Sequence, residues 1–345
     1  MKRFLTLIVM VAVVISLAAC GPTQKTETGD QPQAVNVGIL RVPNDEMIAK
    51  TENLFQKYFQ DQGIEVNFVV FDSGVDANKA FLSGDIDFAS MGHTNGVVAL
   101  AQGLPVELVW IHEVLGEIEA LAVKEDSDIQ AVEDLAGKKV ATVFASTSHY
   151  SLLHALREAG VEDQVTLLDM KTPDIVAAWE RGDIEAAYTW QPTLGEILQS
   201  GRVIMDSKRM AEKGVITANI VLGRKGFLEQ YPDLAADFIT VLTEAGDIYR
   251  ADPAKGAEIT AKGLDISPEI TSVQMAGSRW LTAEEEISPE FLGTSEARGA
   301  FADVFYSTGE FLLEQKHIDR LPSKEEVDAF INPAYIERSI QRSAE

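Results

Sequence analysis

Short apolar runs alternate with amphipathic stretches through the first two thirds of the chain. The apolar runs predict β-strands, because aliphatic and β-branched residues follow one another between turn residues. These predicted strands cover residues 35–40, 66–71, 86–90, 106–111, 139–144, 165–168, 186–189 and 220–222. The stretches between them carry apolar side chains at helical spacing and predict helices at residues 46–62, 76–82, 96–102, 148–158 and 173–180. Strands that alternate with helices in this way predict an α/β fold with open, mainly parallel sheets.

One α/β pattern occurs twice in the chain. Residues 80–89 (AFLSGDIDFA) are echoed by residues 178–187 (AWERGDIEAA). In both copies a helix is expected to end at a glycine, Gly84 or Gly182, in the left-handed conformation that closes helices. Two similar lobes in tandem explain the repeat, and chance similarity between two common turns is the alternative. Two facing lobes would form a cleft at the carboxyl ends of their strands, where α/β folds bind ligands.

The last third of the chain is predicted to be mostly helical. The predicted helices cover residues 233–250, 254–262, 267–277, 296–315 and 323–330. We expect them to return to the first lobe and wrap it. The expected division is a first lobe made of residues 35–120 and 220–345 and a second lobe made of residues 121–219. The hinges between the lobes are expected near residues 121–123 and 219–221.

The N-terminus has the pattern of a secretory signal peptide over residues 1–19. A short basic stretch precedes an apolar run that is too short for a comfortable membrane span. Small residues then lead to Cys20, the only cysteine. This arrangement resembles the bacterial lipobox, in which Cys20 would be lipidated and become the mature N-terminus. An ordinary signal peptide with an incidental cysteine is the alternative. Residues 20–34 predict a flexible tether, so the globular part is expected outside the cytoplasmic membrane, anchored through lipid.

Charge and composition narrow the possible partners. The 345 residues carry 29 Lys and Arg against 54 Asp and Glu, which gives a net charge of −25. A surface this acidic repels phosphate backbones, which argues against nucleic acid as a partner. The single cysteine excludes disulfides within the chain, cysteine-rich zinc sites and iron–sulfur clusters. We expect a monomer.

Polar residues that directly follow predicted strands are the first candidate ligand-binding residues. Such side chains cap the amides of the helices that come next, and those amides form an anion site together with the helix dipole. Most such residues only cap, so the prediction depends on several of them meeting at one cleft. They are Ser73, His93, Thr94, Asn95, Ser146, Thr147 and Tyr150.

Glu119 and Trp190 are candidates of a different kind. Glu119 enters an apolar stretch that ends at Val123. A carboxylate there must be paired or must face the cleft, where it would hold an ammonium group. A partly exposed glutamate at a strand edge is the alternative. Trp190 ends a predicted strand and would wall an aliphatic or cationic ligand, although a core position fits almost equally well.

The sequence lacks the patterns of the common catalytic sites. It contains no HExxH, no GxSxG and no P-loop. His149 and His154 are five residues apart, which turns them about 140° away from each other on a helix, so they do not converge on a metal. We therefore predict a binding protein rather than an enzyme, with no metal and no cofactor.

Eight segments together resemble a known family. They are FDSG (71–74), LSGDID (82–87), GLPVELV (103–109), EALAVK (119–124), DLAGKKVA (134–141), STSHYSLLHAL (146–156), AAWERGDIEAAYTW (177–190) and RKGF (224–227). They resemble the taurine-binding and aliphatic-sulfonate-binding proteins of bacterial ABC importers, a family that also includes thiamine-precursor-binding proteins. The resemblance implies a two-lobed type II periplasmic-binding-protein fold that closes on its ligand and delivers it to an ABC permease. It also implies that Glu119 meets the ligand's ammonium group, and that Ser73, Ser146, Thr147 and Tyr150 surround its sulfonate.

Two departures from the family pattern fall at expected contact points. Gly92, His93, Thr94 and Asn95 replace a common Gly-Ser-Ser-Pro turn, and Asn219 stands where an aspartate is common. The lost acid, with His93 and Asn95 gained, would favour a ligand with less positive or more negative charge. The expected ligand is taurine or another small sulfonate or zwitterion. The alternatives are a thiamine-precursor-binding protein, an enzyme on the same fold related to pyrimidine-precursor synthases or porphobilinogen deaminase, and a sensor or adhesin lipoprotein with a vestigial cleft.

Overall fold

A computed structural model describes residues 31–344 of the chain. The predicted signal peptide and the predicted lipidation site Cys20 lie outside the described residues, as does most of the predicted tether. The first strand begins at Ala34, one residue earlier than expected, and pairs there with Glu65. From Gln33 onward the chain forms one unit that contains every strand and helix given below.

The described residues form eleven strands in two sheets. In chain order, β1 to β11 are Ala34–Leu40, Glu65–Phe71, Phe88–Gly92, Val106–Leu115, Glu119–Lys124, Lys139–Thr142, Thr166–Asp169, Ala186–Trp190, Gly201–Asp206, Ala218–Arg224 and Ser278–Arg279. The first sheet has the order β11-β4-β10-β3-β1-β2 and the second has the order β7-β6-β8-β5-β9. The two sheets are the cores of two α/β lobes, as the alternating pattern predicts.

Sixteen α-helices accompany these strands in the described part of the chain. In chain order, α1 to α16 are Asp45–Thr51, Leu54–Phe59, Gly74–Ser83, His93–Ala101, Thr147–Glu158, Thr172–Arg181, Thr193–Ile197, Ser207–Glu212, Lys225–Gln230, Pro232–Ala251, Pro253–Leu264, Pro268–Ala276, Ala283–Glu286, Phe301–Glu314, Lys324–Phe330 and Ala334–Ser343. None of the helices in residues 31–344 has the length and apolar content that a membrane crossing requires.

The sheets are mixed rather than mainly parallel. Strand β1 pairs in parallel with β2 and β3, and β6 pairs in parallel with β7 and β8. Strand β10 runs antiparallel between β3 and β4, and β5 runs antiparallel between β8 and β9. The antiparallel strands are those that carry the chain into and out of each lobe. The expected parallel pairing is therefore found for only about half of the neighbouring strands.

The boundary between the lobes differs from the expected one by a few residues. Glu119 and Ala120 pair with β8 in the second sheet, whereas Ala218 and Asn219 pair with β4 in the first. The residues predicted as hinges, 121–123 and 219–221, lie inside strands that are paired on both sides. The chain instead crosses between the sheets at residues 116–118 and 207–217.

Local sequence explains where the helices begin and end. Gly84 and Gly182 close α3 and α6 at φ values of 80° and 75°, as the repeated pattern predicts. The single helix expected over residues 46–62 is broken into α1 and α2, because Asn53 adopts a left-handed conformation with a φ of 56°. After β10 the chain stays with the first lobe, where α10 packs against α1, α11 and α16.

The two faces of the second sheet are both covered, which explains its apolar strands. Leu121 and Val123 point to one buried cluster, and Ala120 and Ala122 point to another on the opposite face. In the first lobe, Phe88 at the start of β3 stacks on Phe238 of α10, with the ring centroids 4.0 Å apart. These cores fix the strand ends, from which the polar loops of the cleft project.

Candidate functional site

A cleft lies between the lobes at the ends of strands from both sheets. Its volume is about 500 Å³ when the part open to solvent is included. The lining residues that the sequence predicted are Ser73, Asn95, Glu119, Ser146, Thr147, Trp190 and Asn219. The lining residues that it missed are Leu40, Val42, Gly74, Val75, Gly92, Leu115, Ile118, Val143, Phe144 and Gln191. The missed residues are mostly apolar or glycine, and their one sequence signal is that they flank the polar positions at strand ends.

Three helices direct their first turns at this cleft. Ser73, Gly92 and Ser146 are the N-cap residues of α3, α4 and α5, and all three line the cavity. The first amides of a helix have no acceptor inside the helix, which suits helix starts to an anion, although in α5 the Ser146 hydroxyl accepts from the His149 amide at 3.2 Å. The Ser73 side chain makes no capping hydrogen bond, and Gly92 has no side chain to make one. Among the described residues that line the cavity there is no lysine or arginine.

Glu119 forms the floor of the cleft and is fully buried. One carboxylate oxygen accepts hydrogen bonds from the Thr147 and Ser148 hydroxyls, the latter at 2.8 Å. The other accepts from the hydroxyls of Ser207 at 2.6 Å and Thr217 at 3.4 Å. Burial raises the pKa of Glu119, and the four hydroxyl donors oppose that rise by favouring the charged form. The carboxylate therefore joins the start of α5 to both ends of the second crossover.

The lobes are in direct contact across the cleft at Ala145. The Thr94 hydroxyl and the Asn95 side-chain amide of the first lobe both donate to its carbonyl oxygen, at 2.9 and 3.2 Å. Ala145 has a φ of 59°, a left-handed conformation that costs a non-glycine residue about 1 kcal/mol or more. Thr94, a predicted ligand contact, does not line the cavity, and its hydroxyl makes this contact between the lobes.

His93 and Tyr150 lie behind the cleft rather than in its lining. The His93 ring is fully buried, with Nε2 3.0 Å from the Thr308 hydroxyl and Nδ1 accepting from the Ala218 amide at 3.4 Å. Burial lowers the pKa of His93 to about 3, so the ring is neutral at physiological pH. The Tyr150 ring packs edge-on against Phe311 at 4.8 Å. Both were expected to contact the ligand; the structure places them outside the lining, where His93 is bonded within the first lobe and Tyr150 packs against that lobe from the second.

Asn219 lines the cavity and is tied to a second buried acid. Its side-chain nitrogen donates to Glu113 Oε1 at 2.6 Å. Glu113 lies opposite it on β4, and its other carboxylate oxygen is buried with no hydrogen-bond partner in the described structure. The sequence prediction identified Asn219 but not Glu113, because nothing in the order of residues shows which strands become neighbours.

A buried Asp-His-Ser arrangement lies deeper in the first lobe. His112 Nδ1 contacts Asp45 Oδ1, and its Nε2 lies 2.8 Å from the Ser90 hydroxyl. Burial alone would lower the pKa of His112, but the charge and hydrogen bond of Asp45 together with the charges of Glu46 and Glu113 raise it to about 9. The charged ring donates from both nitrogens, and Ser90 donates onward to Glu46 at 2.5 Å. A protonated histidine cannot serve as a general base, and Ser90 is 1% exposed, so this arrangement is a buried polar network.

Comparison with protein families identifies the chain. The family model described as NMT1/THI5 like matches residues 55–256. The chain belongs to the NMT1/THI5-like family. The match runs from α2 to the first turn of α11, and hence covers the whole second lobe and the cleft-lining strands of the first lobe except β1.

Among curated relatives of this NMT1/THI5-like chain is the taurine-binding periplasmic protein of Escherichia coli K12. The two are 34% identical over 294 residues, which are 83% of this chain and 88% of the relative. A putative aliphatic sulfonates-binding protein of Bacillus subtilis 168 is 25% identical over 96% of this chain and 97% of its own length.

Solved structures confirm the two-lobed periplasmic-binding-protein fold. The periplasmic aliphatic sulphonate binding protein SsuA of Escherichia coli has a TM-score of 0.71 at 22% identity, over 86% of this chain and 92% of that one. The desulfurization enzyme DSZB also shares the fold, with a TM-score of 0.64 at 17% identity over 90% of this chain and all of that one. At these identities the likeness establishes the fold alone, and the fold hosts both binding proteins and enzymes.

Proposed function

We propose that this chain is the extracytoplasmic solute-binding protein of an ABC importer and that it binds a small organosulfonate, with taurine the first candidate. The observation that carries the proposal is the convergence of three helix starts on a cavity without a lysine or arginine in its described lining. Main-chain amides suit a tetrahedral oxyanion, and two relatives are named for taurine binding and for aliphatic sulfonate binding.

The remaining walls of the cleft fit a short carbon chain with a donor group at its end. Leu40, Val42 and Trp190 provide apolar surface next to the helix starts. The Asn219 side chain and the buried Glu119 carboxylate belong to the same lining and offer an acceptor and a negative potential, with Glu119 placed at the start of α5. A zwitterion with a sulfonate and an ammonium group would use both the helix amides and this negative potential.

Glu119 acts in this proposal through its charge rather than by direct contact with the amine. All four of its hydrogen bonds come from hydroxyls, so an ammonium group would have to displace them. Its charge still favours a cation in the cleft, because the intervening protein screens it less than water would. The direct contact that the sequence implied is thus replaced by a through-space role.

Lobe closure is the proposed mechanism of delivery, and no bond is broken. Closure brings Thr94 and Asn95 onto the Ala145 carbonyl and buries the ligand between the lobes. The closed form is what the permease would recognise. The enzyme alternative, which the fold permits, is disfavoured because the Asp-His-Ser arrangement of this chain is buried and its histidine is charged.

Calorimetry with purified protein tests the ligand class. We expect taurine and simple alkanesulfonates to bind with dissociation constants below about 1 mM, and taurine to bind more tightly. Simple carboxylates of the same length serve as controls, since their planar head does not match a site built for a tetrahedral one. No heat with any sulfonate, or equal heat with the carboxylates, would contradict the proposal.

A methyl group on Gly92 is expected to obstruct lobe closure. A Cβ at Gly92 of the first lobe would lie 2.8 Å from the Thr147 methyl of the second. We expect Gly92→Ala to weaken taurine binding by about tenfold or more, because forced packing costs about 1–3 kcal/mol. Gly226→Ala is the control, since its Cβ would lie 3.7 Å from its nearest neighbour. Unchanged affinity in Gly92→Ala would show that closure does not bring these residues together.

Removing the Glu119 charge is expected to separate two kinds of ligand. Glu119→Gln should weaken taurine by about 1–3 kcal/mol through lost attraction, and ethanesulfonate by clearly less. Calorimetry on both ligands measures the difference. Glu107→Gln is the matched control, because Glu107 is a buried glutamate that accepts from Asn332 at 2.7 Å and does not line the cleft. Equal losses for both ligands would assign Glu119 a purely structural role.

Anchoring through a lipid on Cys20 completes the proposal. The support is the sequence alone, namely small residues before the single cysteine at the end of an apolar run. In a bacterial host that processes lipoproteins, the full chain is expected in the membrane fraction and Cys20→Ser in the soluble extracytoplasmic fraction. Cys20→Ser that stays with the membrane to the same extent would contradict lipid anchoring.

A further inference from the structure

Several acidic side chains lie buried in the first lobe behind the cleft. Asp45 and Glu46 come from the start of α1, Glu113 from β4, and Glu286 from α13. His112 is the cation among them and pairs with Asp45. Glu113 differs from the rest because it is hydrogen-bonded to Asn219, a residue of the cleft lining.

The contact between Glu113 and Asn219 fixes which way the asparagine amide faces. The two residues are direct partners on adjacent antiparallel strands, so their side chains lie on the same face of the sheet. The Asn219 nitrogen donates to Glu113 at 2.6 Å, and Glu113 is 1% exposed. The amide nitrogen thus points into the lobe. The amide oxygen is then the polar atom that Asn219 presents to the cleft.

We propose that Glu113 is a positioning residue that holds the Asn219 amide oxygen toward the ligand and thereby makes the cleft select sulfonates that carry an N–H donor. An amide that is free to rotate would offer either its oxygen or its nitrogen and would select neither donors nor acceptors. This inference rests on the proposed sulfonate-binding function. It assigns the residues that recognise the N–H donor group of the ligand.

The surroundings of Glu113 support a single amide orientation. His112 on the same strand, Asp45 and Glu46 on α1, and Asn219 on β10 are the groups that act on it. Burial is the largest influence and raises its pKa to about 8. With the proton on the unpartnered Oε2, the Oε1 that faces Asn219 can only accept, before and after ionisation. Between pH 4.5 and 8 the folded chain therefore keeps a proton that the unfolded chain releases, and this group lowers stability as pH rises.

Selectivity between taurine and ethanesulfonate at pH 7 tests the proposal. The wild type is compared with Glu113→Gln, which keeps an acceptor oxygen, and with Glu113→Leu, which has none. We expect the preference for taurine to stay within about twofold in Glu113→Gln and to fall by about tenfold in Glu113→Leu. Glu46→Gln and Glu46→Leu are matched controls, because Glu46 is buried in the same cluster and is hydrogen-bonded to Ser90 rather than to Asn219.

A cleft variant covers the case in which Glu113→Leu fails to fold. Asn219→Ala removes the amide oxygen itself and should lower the preference for taurine as far as Glu113→Leu does. An unchanged preference in Asn219→Ala, or a preference that rises in Glu113→Leu, overturns the proposal. Equal loss in the Glu46 variants also overturns it, since the effect would then come from the cluster as a whole.

A ligand-independent measurement separates this inference from the proposed function. In nuclear magnetic resonance spectra, the side-chain NH2 signals of Asn219 should shift with a midpoint near pH 8 as Glu113 ionises, and this shift should vanish in Glu113→Gln. Absence of the shift in the wild type refutes the positioning role even if sulfonates bind. Failure of every sulfonate to bind, with the shift present, refutes the ligand class alone.

Discussion

A carboxylate that is withdrawn from water and held by four hydroxyls organises the middle of this molecule. An isolated buried charge costs several kcal/mol, so Glu119 is tolerable only while its donors stay in place. Two of those donors start α5, and the other two come from the segment that returns the chain to the first lobe. The hydroxyls of Thr147 and Ser148 donate to Glu119, so these two protons are not offered to a ligand. One acid thus joins the crossover and the anion site.

An acidic chain that binds an anion needs local dipoles such as helix starts. With a net charge of −25, long-range attraction does not favour an anionic head, so the site depends on short-range dipoles. Helix starts act within about one turn, and three of them meet at the same space. Because fixed amides carry partial rather than full charges, the same cleft can hold an ammonium group without a neighbouring lysine or arginine to repel it. We therefore expect the cleft to bind a zwitterion more tightly than a simple anion.

The sequence predicted the α/β lobes, the cleft and seven of its lining residues, because turn and capping residues act locally. Gly84 and Gly182 close their helices for the reason that the repeated pattern implies. The features that depend on the order of strands in the sheet were not predicted. The sequence contains no sign that β10 would insert antiparallel between β3 and β4, so the crossings between the sheets at residues 116–118 and 207–217 were not predicted. His93 was expected in the cleft because it follows a strand, yet a helix that packs from the distant C-terminal third encloses it.

The same insertion of β10 places an acid where the sequence suggested that one had been lost. Asn219 stands at a position where the family commonly has aspartate, which by itself favours a less cationic ligand. In the folded chain Glu113 lies directly behind that asparagine, so a carboxyl group is retained one strand away, out of reach of the ligand. With the acid at Glu113 and an amide at Asn219, the cleft has a neutral acceptor in place of a charged one. The direction of that acceptor is fixed by its hydrogen bond to Glu113. Such a site distinguishes ligands by where their donors point, and it tolerates more variation in their net charge than a carboxylate in the cleft would.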